Sequence, residues 1–460
     1  MPSRRKFLGQ CCAAVGTTGL LSALTQLRVI AAVASDGLDR PRAAAVAPDY
    51  KALVCLYLNG GNDATNMLIP GDPAGYSAYA RLRADVAVAQ SGLLPISPRK
   101  FSDGRSWALH SALPGLRDLF ADGKLAVLAN VGSLARPITL ADYNAGRGLP
   151  LQLFSHADQS LQWQSSISDT PAQTGWGGRL ADLLDAQNSN SQLSMLVTLA
   201  GVNSFQRGNN VLQFSTGAGG VPNLLMGPDT PVGVRGQIYN ARDRILAAGY
   251  PNLHSAAHAA VTKKALDDQA LLGSVLPGAP TLNTIFPNTT TAANLKMVAR
   301  LISVASTLGL KRQIYFVQLN GFDFHDDQVT GHGPLLTELS GAMKAFYDAT
   351  VELGVANQVT TFTASDFGRT FAPNARGTDH GWGNHQFIMG GAVQGGDIYG
   401  RMMSLAVGGN DDTGRGRWIP STSVDEYSAT LATWFGVSAS NLPVVLPNIG
   451  RFAQPNLGFL

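Results

Sequence analysis

The chain has 460 residues, 45% of them hydrophobic and 14% charged, with a formal net charge of +3. That balance supplies enough apolar side chain for a large buried core and excludes a disordered protein. It also excludes a basic footprint for nucleic acid or anionic membrane, because the small positive charge resides in the first residues.

Those first residues, "SRRKFLGQCCAAVGTTGLLSAL", read as a basic segment followed by a weakly hydrophobic one. Arg4 and Arg5, with Phe7 and Leu8 behind them, resemble the twin-arginine export signal, and Ala32, Val33 and Ala34 offer a small-residue cleavage site. Residues 1–34 are therefore expected to be a signal peptide, read by the export machinery, and the mature protein to be periplasmic or secreted. The apolar stretch 11–24 is shorter than the roughly 20 residues a membrane span needs, so no stable span is expected. Removal of Arg4, Arg5, Lys6 and Arg28, with no acidic residue, takes the formal charge from +3 to −1. Resemblance to this signal implies a protein exported already folded, often with a metal or cofactor in place. Cys11 and Cys12 leave with the signal, so Cys55 stands alone in "ALVCLYL" as a small buried hydrophobe and no intramolecular disulfide can form.

Residues 35–49 lack apolar periodicity and read as a flexible lead-in; the folded domain is expected over 50–460. Short apolar or β-branched runs then predict buried strands at 52–58, 125–131, 194–200, 314–319 and 359–364. Helical patterns lie between them at 109–123, 177–188, 294–309 and 335–354, the last closing on Gly354. Strands alternating with helices predict an α/β three-layer sandwich around a mostly parallel sheet. Residues 201–291, rich in Gly, Asn, Thr and Pro and with one helical pattern at 258–275, read as an insertion or cap.

In such sheets ligands sit beyond the carboxyl ends of the strands, so the residues after each apolar run carry the information. "LYL" leads into "NGGND" with Asp63, "VQL" into "NGFDFHDDQ" with Asp323 and His325, and "TFTA" into "SDFGRT" with Asp366 and Arg369. "DHGWGNH" adds His380 and His385 from a loop close enough in sequence to fold back over the last of these ends. Asp and His are ligands that divalent zinc, manganese or iron accept, and neighbouring carboxylates need a cation or strong donors to stay ionised together. A further cluster, "FSHADQ", sets Ser155 and His156 at a possible helix start, where a serine hydroxyl near a metal is a candidate nucleophile.

Each residue also has a plain structural role open to it. Asp63 could cap a helix starting at Ala64; Asp323 and His325 could belong to a turn; Asp366 could be a cap or the ion-pair partner of Arg369; His385 could be only hydrogen-bonded; Ser155 could be an N-cap. A Ser-His-Asp triad within "SHAD" is disfavoured, since adjacent residues rarely meet as a triad and no G-x-S-x-G elbow is present.

Taken in order, "LYLNGGNDATNMLIP", "WALHSALPGL", "FSHADQ", "TGWGGRLADLL", "GFDFHDDQ", "SDFGRT" and "GTDHGWGNH" resemble the exported bacterial family known as domain of unknown function 1501, over about residues 51–401. That family is grouped with the alkaline phosphatase and sulfatase superfamily. The resemblance implies an alkaline-phosphatase-like α/β domain acting as a metal-dependent hydrolase on a small anionic phosphate or sulfate ester, including a glycan-linked one. It implies one or two divalent ions, zinc, manganese or calcium. Asp63 resembles the carboxylate of one metal, Asp323 and His325 the pair on the other, Asp366 the strand-end carboxylate and His380 the late metal histidine. Ser155 matches the nucleophile in order, and Arg369 or His156 would bind the anion. Phe367 departs from the pattern, standing where a metal histidine is usual; one ion, or a site completed by His156 or His385, fits that departure. The alternative is a non-enzymatic binding or assembly protein on the same fold.

Overall fold

The computed structural model describes residues 46–188, 193–220 and 233–460. The expected signal peptide, most of the lead-in and part of the expected insertion lie outside the described residues. Among the described residues no helix is long and apolar enough to cross a membrane.

Among the described residues the strands are, in chain order, β1 (Lys51–Asn59), β2 (Leu68–Pro70), β3 (Leu94–Ile96), β4 (Trp107–Leu109), β5 (Leu125–Gly132), β6 (Leu196–Thr198), β7 (Phe214–Ser215), β8 (Arg312–Asn320), β9 (Val359–Ser365), β10 (Asn384–Gly390), β11 (Asp397–Tyr399) and β12 (Thr422–Ser423). β2, β4 and β3 form a small antiparallel sheet. The main sheet runs β11-β5-β10-β9-β1-β8-β6-β7, with β12 also on β5. Among these described strands of the main sheet only β10 runs against the rest, pairing antiparallel with both β5 and β9.

β1 shows why the sheet is buried on both faces. Ala52, Val54, Leu56 and Leu58 point into one apolar cluster, with side chains from the helices Pro114–Ala121, Thr290–Ser303 and Gln328–Glu352. Leu53, Cys55 and Tyr57 alternate into the other, with the helices Trp176–Leu184 and Val424–Phe435. This period-two split of one strand between two helical layers is the three-layer α/β sandwich expected from the sequence. The lone Cys55 is buried and unbridged.

Register positions the site. Asn59 lies opposite Asn320, and Leu58 lies opposite both Leu319 and Ser365, so β1, β8 and β9 end level with one another. Their loops must then crowd, and glycines permit it. A Cβ at Gly60 would come 2.6 Å from the Asp323 backbone nitrogen, and one at Gly61 would come 2.3 Å from the Phe367 ring; both residues also hold positive φ, at +116° and +78°.

Several elements differ from the sequence expectation. The helix expected over 335–354 begins earlier, at Gln328, with Pro334 inside it; Gly331, Gly333 and that proline mask the helical pattern of its first turns. β6 is three residues long, shorter than its apolar run. β10 is unforeseen: its opening Asn384, His385 and Gln386 read as loop, yet the whole strand is buried between β9 and β5. The described part of 201–291 supplies edge strand β7 and the helices Gly233–Ala247 and Leu253–Val275.

Candidate metal centre

Because β10 runs antiparallel, the chain leaves β9 at Ser365 and re-enters the sheet at Asn384 on the same edge. The intervening loop has to double back there. It does so as a short backbone ladder: Gly368 N–H donates to Trp382 O at 3.0 Å, Thr370 N–H to Asp379 O at 2.9 Å, and Gly381 N–H to Gly368 O at 2.7 Å, with Arg369 bridging His380. "DHGWGNH" is thereby folded over "SDFGRT", beside the ends of β1 and β8.

Three side chains converge at this edge. One ligand atom from each of His156, Asp323 and His380 lies within 4.8 Å of the others. His156 begins the helix His156–Ser165, Asp323 follows β8, and His380 comes from the doubled loop. His156 Nε2 is 3.4 Å from Asp323 Oδ2, and His380 Nε2 is 3.6 Å from Asp323 Oδ1. His325 stands alongside, its Nε2 3.2 Å from Asp323 Oδ1 and 2.8 Å from His380 Nε2.

The backs of the rings fix the chemistry of their fronts. His380 Nδ1 is 2.7 Å from the Phe154 carbonyl oxygen. A carbonyl only accepts, so Nδ1 carries the hydrogen and a neutral His380 presents a lone pair at Nε2. His156 Nδ1 likewise faces Asp366 Oδ2 at 2.6 Å, and His325 Nδ1 faces Asp379 Oδ1 at 3.3 Å. Three imidazoles, each held from behind by an acceptor, thus aim Nε2 at one carboxylate. Two facing lone pairs 2.8 Å apart repel unless a proton or a cation stands between them. An Asp-and-His donor set held from behind in this way fits a divalent ion such as zinc or manganese, and outer acceptors on ligand histidines are the usual support of such sites.

Protonation tendencies follow the surroundings. The hydrogen bond to Asp366 raises the His156 pKa against the opposing effect of its burial. Burial lowers that of His380, and the hydrogen bond to Phe154 only partly offsets it. Burial of Asp323 would raise its pKa, but the charge and hydrogen bond of Arg369 hold it below the ordinary value. Arg369 Nη2 donates to Asp323 Oδ1 at 2.9 Å, while its Nε and Nη1 are enclosed without a partner.

The remaining expected site residues lie elsewhere or act through others. Asp366 faces His156 with one oxygen and accepts from Gly60 N–H at 3.3 Å with the other, so it supports the cluster from behind. It neither caps a helix nor pairs with Arg369. Asp63, expected at a metal, is committed: its carboxylate takes the buried guanidinium of Arg83, the Gln328 amide, and the Thr65 hydroxyl at 2.6 Å. It makes no side-chain cap on the turn Ala64–Asn66 either. His385 lies within β10, where its Nδ1 accepts from Asn130 N–H at 3.2 Å and burial lowers its pKa to about 4. Ser155 caps its own helix and donates to Asp158 Oδ2 at 2.6 Å. Phe367, fully buried, packs its ring 4.7 Å from that of His156 and 4.6 Å from that of His380.

Sequence reasoning missed three contributors. Asp379 sits inside the "DHGWGNH" stretch and could have been chosen with it. Phe154 acts through its carbonyl, which leaves no trace in residue type. Arg83 comes from an ordinary surface helix, Pro73–Arg83, whose last residue is fully buried.

No curated protein matches the chain. Among solved structures it is similar to a lipoteichoic acid synthase from Listeria monocytogenes, at 7% identity and a TM-score of 0.36 over 88% of this chain and 78% of that one. It is similar also to a sulfatase from Pseudoalteromonas sp., at 12% identity and a TM-score of 0.33 over 86% of this chain and 69% of that one. Residues 284–415, which carry Asp323, His325, Asp366, Arg369 and His380, match the family described as "Protein of unknown function (DUF1501)".

Proposed function

We propose that this chain is an exported, metal-dependent hydrolase of phosphate or sulfate esters. The observation that carries the reading is the convergence of His156, Asp323 and His380 at the carboxyl edge of a parallel sheet, each histidine with an acceptor behind it. His156, Asp323 and His380, with His325 as a further donor, would hold a divalent ion, whose chemistry there would be Lewis-acid stabilisation of charge on the ester oxygens.

The chain's own residues do the rest. Asp366, Phe154 and Asp379 hold the imidazoles in the tautomer that leaves Nε2 free. Arg369 keeps Asp323 ionised. Phe367 closes the inner side of the cluster with an apolar ring, which lowers the local dielectric and strengthens electrostatic interaction with an anion. Because the Ser155 hydroxyl donates to Asp158, the nucleophile this arrangement favours is water.

The test is hydrolysis of p-nitrophenyl phosphate and p-nitrophenyl sulfate by the mature protein with added zinc, manganese or calcium. Turnover of either ester that disappears in Asp323→Ala supports the proposal; absence of turnover with every metal counts against it. A second reading, a non-enzymatic binding protein on the same fold, is favoured by Ser155 serving its own helix and by Phe367 standing where a further ligand would be. Such a protein would hold metal and turn over neither ester.

A further inference from the structure

Around the cluster, arginines are mostly spoken for. Arg369 is paired with Asp323, Arg415 with Asp379, and Arg376 with Asp326 and Asp327. Arg417 differs. Its Nε donates to the His380 carbonyl at 2.8 Å, and its guanidinium lies 5.0 Å from the centre of the Phe154 ring. Among the described residues no carboxylate and no other acceptor engages that guanidinium, so Nη1 and Nη2 are left as an open fork. The side chain is partly exposed and can be reached from solvent.

Both anchors of Arg417 belong to the support of one candidate ligand: Phe154 accepts from His380 Nδ1, and His380 offers its own carbonyl to Arg417. The guanidinium is thereby fixed against Phe154 and the His380 backbone, the groups that carry and orient one candidate ligand. Stacking on Phe154 and the bond at Nε use up the freedom a surface arginine would otherwise lose on binding, and an open pair of N–H donors matches two oxygens of a tetrahedral oxyanion. Arg369, which with His156 is what the family resemblance offers for this role, is less suited, because its side chain is fully buried against Asp323 and its two unpartnered nitrogens are enclosed.

We infer that Arg417 is an anion-binding residue of this site, its Nη fork taking two non-bridging oxygens of a phosphate or sulfate group held at the His156–Asp323–His380 cluster. The inference rests on the hydrolase reading and adds the residue that recognises the substrate's charged group.

The experiment is a calorimetric titration of the mature protein with orthophosphate, for wild type, Arg417→Met and Arg417→Lys, with the metal content of each sample measured alongside. The expected result is equal metal content in all three, phosphate affinity reduced about 10- to 100-fold in Arg417→Met, and an intermediate reduction in Arg417→Lys, which keeps the charge without the fork. Phosphate affinity unchanged in Arg417→Met, or no phosphate binding by wild type, overturns the inference. So does loss of metal in Arg417→Met, which would reduce the residue to a support for His380. A wild type devoid of metal removes the hydrolase reading by itself; the difference in phosphate affinity between metal-free wild type and Arg417→Met then still decides the role of Arg417.

Discussion

Two carboxylates follow neighbouring parallel strands, Asp63 after β1 and Asp323 after β8, and the sequence presents them alike. In the fold they meet opposite fates. Asp63 is enclosed, 2% exposed, with a guanidinium, an amide and a hydroxyl all donating to it. Asp323, its side chain 46% exposed, receives one bond from Arg369 and otherwise faces the Nε2 atoms of three imidazoles. The inner carboxylate is closed off by three donors including a buried guanidinium, whereas the outer one takes a single arginine bond and is otherwise faced by imidazole nitrogens. A strand-end aspartate remains a ligand candidate when its donors leave part of the carboxylate open, as Arg369 does at Asp323 and as Arg83, Gln328 and Thr65 together do not at Asp63.

The largest expected effect falls on the inner site. Arg83→Met leaves Asp63 buried without its cation, a change that typically costs about 3–5 kcal/mol. Urea denaturation should show that loss while the metal content stays at the wild-type level; a drop in metal content with stability unchanged would break the distinction between the two sites.

Acid should act next, and from the same inner region. Burial lowers the pKa of His332, whose Nε2 lies 2.9 Å from Asn62 Oδ1, to about 4, and does the same to His385 in β10. Between about pH 6.5 and about pH 4 the unfolded chain takes up protons at these histidines and the folded chain does not. Stability is therefore present above pH 6.5 and falls as the pH drops through that window, by on the order of 3 kcal/mol for each histidine. Asp63, its pKa held below the ordinary value despite burial, adds a further loss only below about pH 4. Replacing His332 by Gln should flatten the upper part of the curve in thermal melts; an unaltered pH profile would remove the assignment.

A smaller effect is expected at the outer site's support. Asp366→Asn keeps the shape but weakens the acceptor behind His156, and changes of this kind typically lower metal affinity about 10- to 100-fold. Competition against a chelator would measure it. If affinity holds, His156 is not oriented by Asp366 in the way its 2.6 Å contact implies.

Much of the scaffold was legible in the sequence because buried parallel strands are continuous apolar runs: β1, β5, β8 and β9 all fall on runs that stand out by composition. β10 was not, since its polar start resembles a loop and only its antiparallel insertion between β9 and β5 buries it. The same strand explains the histidines of "DHGWGNH". His380 lies in the loop before the strand and faces the cluster, while His385 is the second residue of the strand and is drawn into the sheet. Spacing along the chain cannot separate these outcomes. Nor can residue type foretell that Arg83 reaches Asp63, or that the carbonyl of Phe154 orients His380, because each depends on which elements pack together.

The measurement that bears most directly on the outer site is the metal content of mature protein purified without chelator, compared across wild type, His380→Ala and Asp63→Asn. About one divalent ion per chain is expected in wild type, lost in His380→Ala and retained in Asp63→Asn. No ion in wild type even after metal is supplied, or an ion kept by His380→Ala and lost by Asp63→Asn, would contradict it.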